Sequence, residues 1–118
     1  MARIDLIRIA DDQPSRSQGL MFVRHLPEKS GMLFKFDQED VLRFWMANTY
    51  IPLDIAFINK EGVIVGTDSM VPLSMRTVSS KTPCLMALEV PFGTLAKVGA
   101  EVGKKVKVDW DMKVVDID

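Results

Sequence analysis

Several features that would restrict the class of this protein are scarce in its 118-residue sequence. The only cysteine is Cys84, so an internal disulfide is excluded. Together with His25, the only histidine, it is too little for the three or four Cys and His ligands of a zinc site. No metal or cofactor is therefore predicted. A formal net charge of −1 gives no electrostatic reason to expect nucleic acid or an anionic membrane surface as a partner.

Long apolar runs are also missing. None approaches the roughly 20 residues that a helix needs to cross a bilayer, so membrane insertion is not predicted. After Met1-Ala2-Arg3 the chain enters a strand-like alternation, without the charged and then apolar segment of a signal peptide. These observations predict a cytoplasmic protein, with a trimmed extracytoplasmic domain as the alternative. No feature of the sequence specifies an oligomeric state.

Length and composition predict a single domain over residues 1–118. Apolar residues make up 47% and charged residues 26%, which is ordinary for a soluble globular domain. Short apolar runs separated by turn residues predict a mostly β fold, that is, a β-rich α+β protein. We expect a compact, barrel-like antiparallel sheet with two short helices. An α+β sandwich is the alternative.

The clearest local signal is a hairpin, because apolar runs at 55–58 and 63–65 flank four loop residues that end in Gly62. Asp11-Asp12-Gln13-Pro14 predicts the start of a helix that runs to about Val23. A second helix at 94–98 is predicted to end at Gly99. Further strands are predicted at 3–9, 32–36, 41–46, 85–90, 106–110 and 113–117, with a turn at 37–40 and an extended loop at 70–82.

Residues 44–54 (Phe-Trp-Met-Ala-Asn-Thr-Tyr-Ile-Pro-Leu-Asp) mix large apolar groups with polar ones. A core strand does not need Asn and Asp, and a solvent-exposed loop does not need Trp and Met. Small-ligand sites combine an apolar wall with a few convergent polar groups. The run therefore predicts a small-molecule cleft, where Trp45 stacks on the ligand and polar side chains bind its hydroxyls or amines. The predicted cleft consists of Trp45, Asn48, Thr49 and Asp54, with Glu89 and Arg24 as rim or wall.

A structural or protein-interaction role without a small-molecule site is an alternative for the same residues. In the structural hypothesis, Trp45 plugs the core, while the polar side chains of the run satisfy the backbone of a bend that contains Pro52. Asp54, for example, would accept hydrogen bonds from backbone N–H groups of residues 48–51. A protein-interaction module would instead show an exposed apolar patch near Leu73, Met75 or Phe92.

A hydrolase-like enzyme is the third hypothesis. Asp54 and Glu89 each lie inside an apolar stretch, and a pair of carboxylates that share one cleft can perform acid–base chemistry. No third group is identified beside them, so no residue is assigned a catalytic role and the sequence does not establish an enzyme.

Short motifs along nearly the whole chain carry a family resemblance. They are Gly19-Leu20-Met21, Arg24, Leu26-Pro27, Gly31-Met32-Leu33-Phe34, Phe44-Trp45-Met46, Asn48-Thr49, Ile51-Pro52-Leu53-Asp54, Ala87-Leu88-Glu89-Val90-Pro91 and Gly93. In order and approximate spacing they resemble the domain-of-unknown-function 192 family (uncharacterised protein family 0127). The resemblance implies a small, mostly β domain that bacteria often export behind a signal peptide or lipoprotein anchor. It implies no established activity.

The chain departs from the family pattern at four places. Ala47 stands where a lysine is usual, Gly103-Lys104 replaces a Gly-Asp, and residues 76–81 lack a tyrosine. The fourth departure is the missing export signal. The first weakens any proposal that needs a cation in the tryptophan motif, and the last argues against a location in the cell envelope.

Overall fold

Residues 2–118, which the computed structural model describes, form one curled seven-stranded sheet, a half-barrel. The elements are β1 (Ala2–Ala10), α1 (Gln13–Gln18), β2 (Ser30–Phe44), β3 (Leu53–Ile58), β4 (Ile64–Met70), β5 (Val78–Pro91), α2 (Thr94–Val98), β6 (Val106–Asp109) and β7 (Val114–Ile117). The strand order is β4-β3-β5-β2-β1-β7-β6. β1 and β2 pair in parallel, and the other neighbouring strands pair antiparallel. The mostly β, barrel-like fold with two short helices is confirmed.

Two apolar cores lie on opposite faces of the sheet. Successive side chains of a strand point to opposite faces. In β3, Leu53, Ile55 and Phe57 therefore enter one core (core A), while Ala56 and Ile58 enter the other (core B). Because both faces are covered, all six residues of β3 are buried. This explains why its sequence is a nearly continuous apolar run rather than an alternation.

The predicted hairpin is confirmed as β3 and β4. The side-chain oxygen of Asn59 accepts hydrogen bonds from the backbone N–H groups of Glu61 at 3.1 Å and Val63 at 2.9 Å. Gly62 has a positive φ of 80°, which glycine adopts without a Cβ clash. The turn is therefore closed by a side-chain acceptor and a glycine within the four predicted loop residues.

The first helix begins as predicted but ends early. The carboxylate of Asp12 accepts a hydrogen bond from the Ser15 backbone N–H at 2.8 Å, and Pro14 occupies the first turn. The chain leaves the helix at Gly19, where φ is +51°, instead of near residue 23. Leu20 then turns into core A and is buried there. Neither helix in the described part of the chain is long or apolar enough to span a membrane.

The predicted turn at 37–40 is wrong, because β2 continues through it. From Lys35 to Asp40 the strand advances five residues, while its partner β5 advances only two, from Met86 to Cys84. The surplus residues of β2 form a bulge, which is where turn-like residues are tolerated in a strand. The predicted loop at 70–82 is also too long, since β4 ends at Met70 and β5 begins at Val78.

The two outermost strands of the sheet approach each other at one end. Val63, just before β4, forms an isolated antiparallel bridge with Lys105, just before β6. The backbone N–H of Ile64 donates to the Lys104 carbonyl at 3.0 Å, and that of Val106 donates to the Gly62 carbonyl at 2.7 Å. The curled sheet is therefore joined across its opening at this point.

Candidate functional site

A cavity of about 330 Å³, called here the aromatic cavity, opens beside core A between α1, β2 and the bend that follows β2. Its floor reaches β5, the strand between β3 and β2, through Glu89. It is lined by Gln13, Arg16, Ser17, Gln18, Gly19, Leu20, Met21, Phe34, Phe36, Arg43, Phe44, Trp45, Met46, Thr49 and Glu89. Six of these fifteen residues are aromatic or methionine, and seven are polar or charged. An apolar wall combined with polar groups is the makeup of a small-ligand site.

Glu89 is the buried acid of this cavity. It is only 5% exposed, and its partners on the neighbouring strands are Met32 in β2 and Ile55 in β3, both core A residues. Removal from water disfavours the charged form, so burial raises the pKa of the Glu89 carboxyl to about 8. At neutral pH this carboxyl is therefore mostly protonated.

The Glu89 carboxyl also has no protein partner within residues 2–118. Burial is the cause of its pKa shift, with no contribution from a hydrogen bond or a neighbouring charge. Each fully enclosed side-chain nitrogen or oxygen of these residues has a hydrogen-bond partner. The unpartnered carboxyl oxygens of Glu89 must therefore face the cavity, where a ligand or water can reach them.

Asp54 lies on the other face of the sheet. It pairs with Val90, a core B residue, whereas its neighbour Ile55 pairs with Glu89. One carboxylate oxygen of Asp54 accepts hydrogen bonds from the backbone N–H groups of Gly93 at 2.9 Å and Leu95 at 3.2 Å. Asp54 thus caps the start of α2, whose own N-cap, Gly93, has no side chain to do so.

This position corrects two sequence-based hypotheses. Asp54 satisfies donors at α2 rather than those of the bend at 48–51, and it does not line the aromatic cavity. Since Asp54 and Glu89 point to opposite faces, they do not form the carboxylate pair that the hydrolase hypothesis requires.

Replacement of Asp54 tests this capping role. Asp54→Ala is expected to lower the free energy of unfolding by about 1–3 kcal/mol, because it leaves a buried N–H donor at Leu95 and a partly buried one at Gly93 unpaired. Asp54→Asn keeps one acceptor oxygen and should lose less. Urea unfolding followed by circular dichroism measures both losses. An Asp54→Ala protein with an unchanged unfolding midpoint would refute the cap.

The bend after β2 uses Asn48 for its backbone conformation. Asn48 has a positive φ of 55°, which asparagine tolerates better than most residues, and its side chain is exposed. The Asn48 carbonyl accepts a hydrogen bond from the Phe22 N–H at 2.9 Å, and the Thr49 N–H donates to the Met46 carbonyl at 3.0 Å. Asn48 therefore shapes the bend without lining the cavity.

The cavity brings together three of the six predicted site residues: Trp45, Thr49 and Glu89. Trp45 is 51% exposed, so the hypothesis that it plugs the core is wrong. Thr49 is buried, and its hydroxyl donates to the Ala47 carbonyl at 3.2 Å. Arg24 stands outside the cavity, with its guanidinium carbon 5.4 Å from the centre of the Tyr50 ring.

Two arginines that line the cavity, Arg16 and Arg43, were not predicted from the sequence. Arg16 comes from α1, where its Nη1 donates to the Lys35 carbonyl at 2.9 Å and its guanidinium lies 4.7 Å from the centre of the Phe36 ring. Arg43 comes from β2. Helix α1 buries none of its residues, so apolar spacing gives no signal that it covers a site. Only the contact between α1 and β2 places Arg16 there.

Thiol or metal chemistry finds little support in the described residues. Cys84 is fully buried in core A, and burial raises the pKa of its thiol, which disfavours the reactive thiolate. Within residues 2–118, no three His, Cys, Asp or Glu side chains are grouped so that they could hold a metal ion.

The side chains named for an interaction patch are exposed. Leu73, Met75 and Phe92 are between 56% and 63% exposed. Their loops are tied to the bend, since the Leu73 N–H donates to the Thr49 carbonyl and the Phe92 N–H to the Pro52 carbonyl. Exposed apolar side chains are common on soluble proteins, so exposure alone identifies no partner.

Fold and motifs together define a β half-barrel of a known but uncharacterised class. The model of the DUF192 family, whose description is "Uncharacterized ACR", matches residues 2–108. The chain belongs to this family. No curated protein matches it.

Two solved structures resemble this one closely. One, from Sinorhizobium meliloti 1021, is called a "putative transcription regulator"; it has a TM-score of 0.80 and 37% identity over 82% of this chain and 76% of that one. The other is a protein of unknown function from Novosphingobium aromaticivorans DSM 12444, with a TM-score of 0.81 and 33% identity over 84% of this chain and 71% of that one. Neither name states a ligand or a reaction.

Proposed function

We propose that the protein is a small-ligand-binding module and that the aromatic cavity is its binding site. The observation that carries the proposal is Glu89, a buried carboxyl that has no hydrogen-bond partner within residues 2–118 and faces an open cavity. A buried polar group without a partner costs roughly 1–3 kcal/mol of stability. A bound molecule that supplies the missing hydrogen bond would offset this cost.

The walls of the cavity favour the same conclusion. The rings of Phe34 and Phe44 meet edge to face with their centres 4.9 Å apart, and Phe36 approaches Phe44 at 6.5 Å. These contacts hold flat apolar surfaces in fixed positions before any ligand arrives. Less side-chain conformational entropy is therefore lost on binding. Trp45, half exposed at the edge of the cavity, offers a further ring for stacking.

The volume sets the size of the ligand. Small-molecule pockets span roughly 300–1,000 Å³, and this cavity, at about 330 Å³, lies at the lower end. A molecule of one ring with a few polar groups fits better than a nucleotide or an oligosaccharide.

Nucleic acid is not part of this proposal. The name of the Sinorhizobium protein refers to transcription, and direct DNA binding requires a basic patch or stripe on the surface. The present chain carries 15 basic and 16 acidic side chains, so its charge balance does not favour DNA.

A fragment screen by NMR tests the proposal. We expect bound fragments to shift the indole N–H of Trp45 and the backbone N–H of Thr49. Trp45→Ala should weaken the best fragment by about tenfold or more, because the loss of a stacked ring costs on the order of 1.4 kcal/mol. Trp110→Ala is the matched control, since Trp110 is 44% exposed and lies outside the cavity.

Two results would overturn the proposed function. One is a screen in which no fragment shifts the signals of cavity residues. The other is an equal loss of affinity in the Trp45→Ala and Trp110→Ala proteins.

A further inference from the structure

Building on the proposed function, we infer that the aromatic cavity selects a free amino acid with an apolar side chain. Its ammonium group would lie against Glu89, and its carboxylate would lie against Arg16 and Arg43. The cavity combines charged groups of both signs with apolar surface, as such a ligand does.

The charged groups of the cavity come from three elements. Among the described lining residues, Glu89 of β5 is the only acid, while Arg16 of α1 and Arg43 of β2 are the only bases. The strand neighbours of Glu89, Met32 and Ile55, are apolar. One acid at the buried floor, with cations supplied by other elements, matches a ligand that carries both charges.

An ammonium group satisfies Glu89 better than a hydroxyl does. It brings three N–H donors and a positive charge to a carboxyl that lacks both. The rings of Phe34 and Phe44 also attract a cation at their faces. The proton balance is explicit: the amine arrives as ammonium, Glu89 becomes carboxylate, and its proton leaves to solvent.

The arginines are suited to the other end of the ligand. Nη1 of Arg16 is fixed on the Lys35 carbonyl, and the guanidinium is stacked on Phe36, so its orientation is set before binding. Neither Arg16 nor Arg43 forms a salt bridge within residues 2–118. A guanidinium with free N–H groups binds a carboxylate through a fork of hydrogen bonds.

The uncharged part of the lining selects the side chain. Gln13, Ser17, Gln18 and Thr49 contribute polar groups, and the larger share is apolar: Leu20, Met21, Phe34, Phe36, Phe44, Trp45 and Met46. A charged side chain would lose its hydration beside these apolar groups, while the charged groups of the cavity are engaged by the two ends of the ligand. A phenyl group or a branched alkyl group would bury apolar surface instead.

Three probes that share a phenethyl group test the inference: L-phenylalanine, phenethylamine, which lacks the carboxylate, and 3-phenylpropionate, which lacks the ammonium group. Each is titrated into the whole protein near pH 7, and affinities are read from the Trp45 indole N–H shift. We expect phenylalanine to bind at least about tenfold more tightly than either probe with a single charge, which corresponds to 1.4 kcal/mol. Trp110 should not respond to any of them.

Variants separate the two ends of the ligand. Glu89→Gln should weaken phenylalanine and phenethylamine by about tenfold and leave 3-phenylpropionate within about threefold. Arg16→Gln should show the reverse selectivity, weakening phenylalanine and 3-phenylpropionate but not phenethylamine. Correct folding of each variant is read from the amide spectrum recorded in the same titration.

The pH dependence provides a readout that a merely structural role would not produce. Because binding displaces a proton from a carboxyl whose pKa is about 8, affinity for phenylalanine should rise close to tenfold per pH unit between about pH 5.5 and 7.5. Glu89→Gln should abolish this slope. Calorimetry in buffers of different ionisation enthalpy should detect close to one proton released per ligand.

The outcomes distinguish the inference from the proposed function. If 3-phenylpropionate binds as tightly as phenylalanine, or if Glu89→Gln keeps the pH slope, the amino-acid assignment is overturned while the cavity remains a binding site. If none of the three probes moves cavity signals, the assignment is again overturned. The fragment screen then decides the proposed function independently.

Discussion

Raising the pH from about 5 to about 8.5 is expected to lower the free energy of unfolding by roughly 3–4 kcal/mol, because of Glu89 alone. The ordinary pKa of 4.5 applies to this carboxyl in the unfolded chain, and burial raises it to about 8 in the folded protein. Between these values the folded state holds a proton that the unfolded state has released. Stability is therefore fully present below about pH 4.5, falls as the pH rises, and levels off above about pH 8.

The other acidic groups whose pKa values are shifted change protonation outside the pH range from about 5 to about 8.5. The pKa values of Asp12 and Asp116 are lowered from 3.8 by hydrogen bonds with Ser15 and Arg3, so their contributions change only in more acidic solution. The pKa of Cys84 is raised from 9.0 by burial, so its contribution changes only in more alkaline solution. The slope between these limits therefore reports Glu89.

Urea unfolding across the window measures the effect. Glu89→Gln, which keeps the shape of the side chain but cannot ionise, should remove most of the slope and unfold at nearly the same urea concentration throughout. Glu61→Gln, at an exposed position in the β3–β4 turn, should retain the slope of the original protein. A flat profile in the original protein would show that water already solvates the Glu89 carboxyl.

Gly31→Ala is expected to destabilise the fold by at least about 3 kcal/mol or to prevent folding. A Cβ on Gly31 would lie 2.4 Å from the Glu89 carbonyl oxygen and 2.9 Å from Cγ1 of Val90. The first distance is shorter than any tolerated contact, and the clash is with backbone, which cannot rotate away. β2 and β5 would have to separate beside the residue that forms the floor of the cavity.

Gly66→Ala is the matched control, because Gly66 also lies in a strand. Its added Cβ would meet Cδ2 of Phe57 at 3.6 Å, an ordinary van der Waals contact. We expect a change of no more than about 1 kcal/mol, in either direction, since alanine also lowers the entropy of the unfolded chain. Thermal unfolding and the soluble yield compare the two variants. Equal stability would contradict the close approach of β2 to β5.

Local chemistry in the sequence was sufficient for the hairpin and for α2. Gly62 and Asn59 close the β3–β4 turn through their own conformations and side chains, and Gly99 ends α2 with a positive φ of 69°. The bulge in β2 was not predictable in this way. Residues 37–40 are typical of a turn, but β5 pairs with β2 before and after the bulge, at Lys35 and at Asp40, and so keeps this segment in the strand. This pairing is a tertiary effect that local sequence does not report.

The candidate site was predicted only in part, because some of its residues are close in sequence while others are brought together by tertiary structure. Trp45 and Thr49 lie in one short run, so composition alone placed them together. Glu89 was predicted only as rim or wall of the cleft, and its burial follows from strand pairing. The position of Asp54 depends on which face of β3 it occupies. Because both faces of β3 are buried, its sequence shows no alternation from which that face could be inferred.

The bridge between Val63 and Lys105 has a consequence for how the protein behaves at high concentration. An open sheet has two edges whose unpaired backbone groups can recruit strands from other molecules. Here the two edge strands, β4 and β6, are joined at one end, because the residues just before them pair with each other in the bridge. Beyond it, β4 exposes Thr67, Asp68 and Ser69, and the four-residue β6 exposes Lys107. A second molecule would therefore meet short, charged edges, and opening of the bridge would precede any strand exchange between copies.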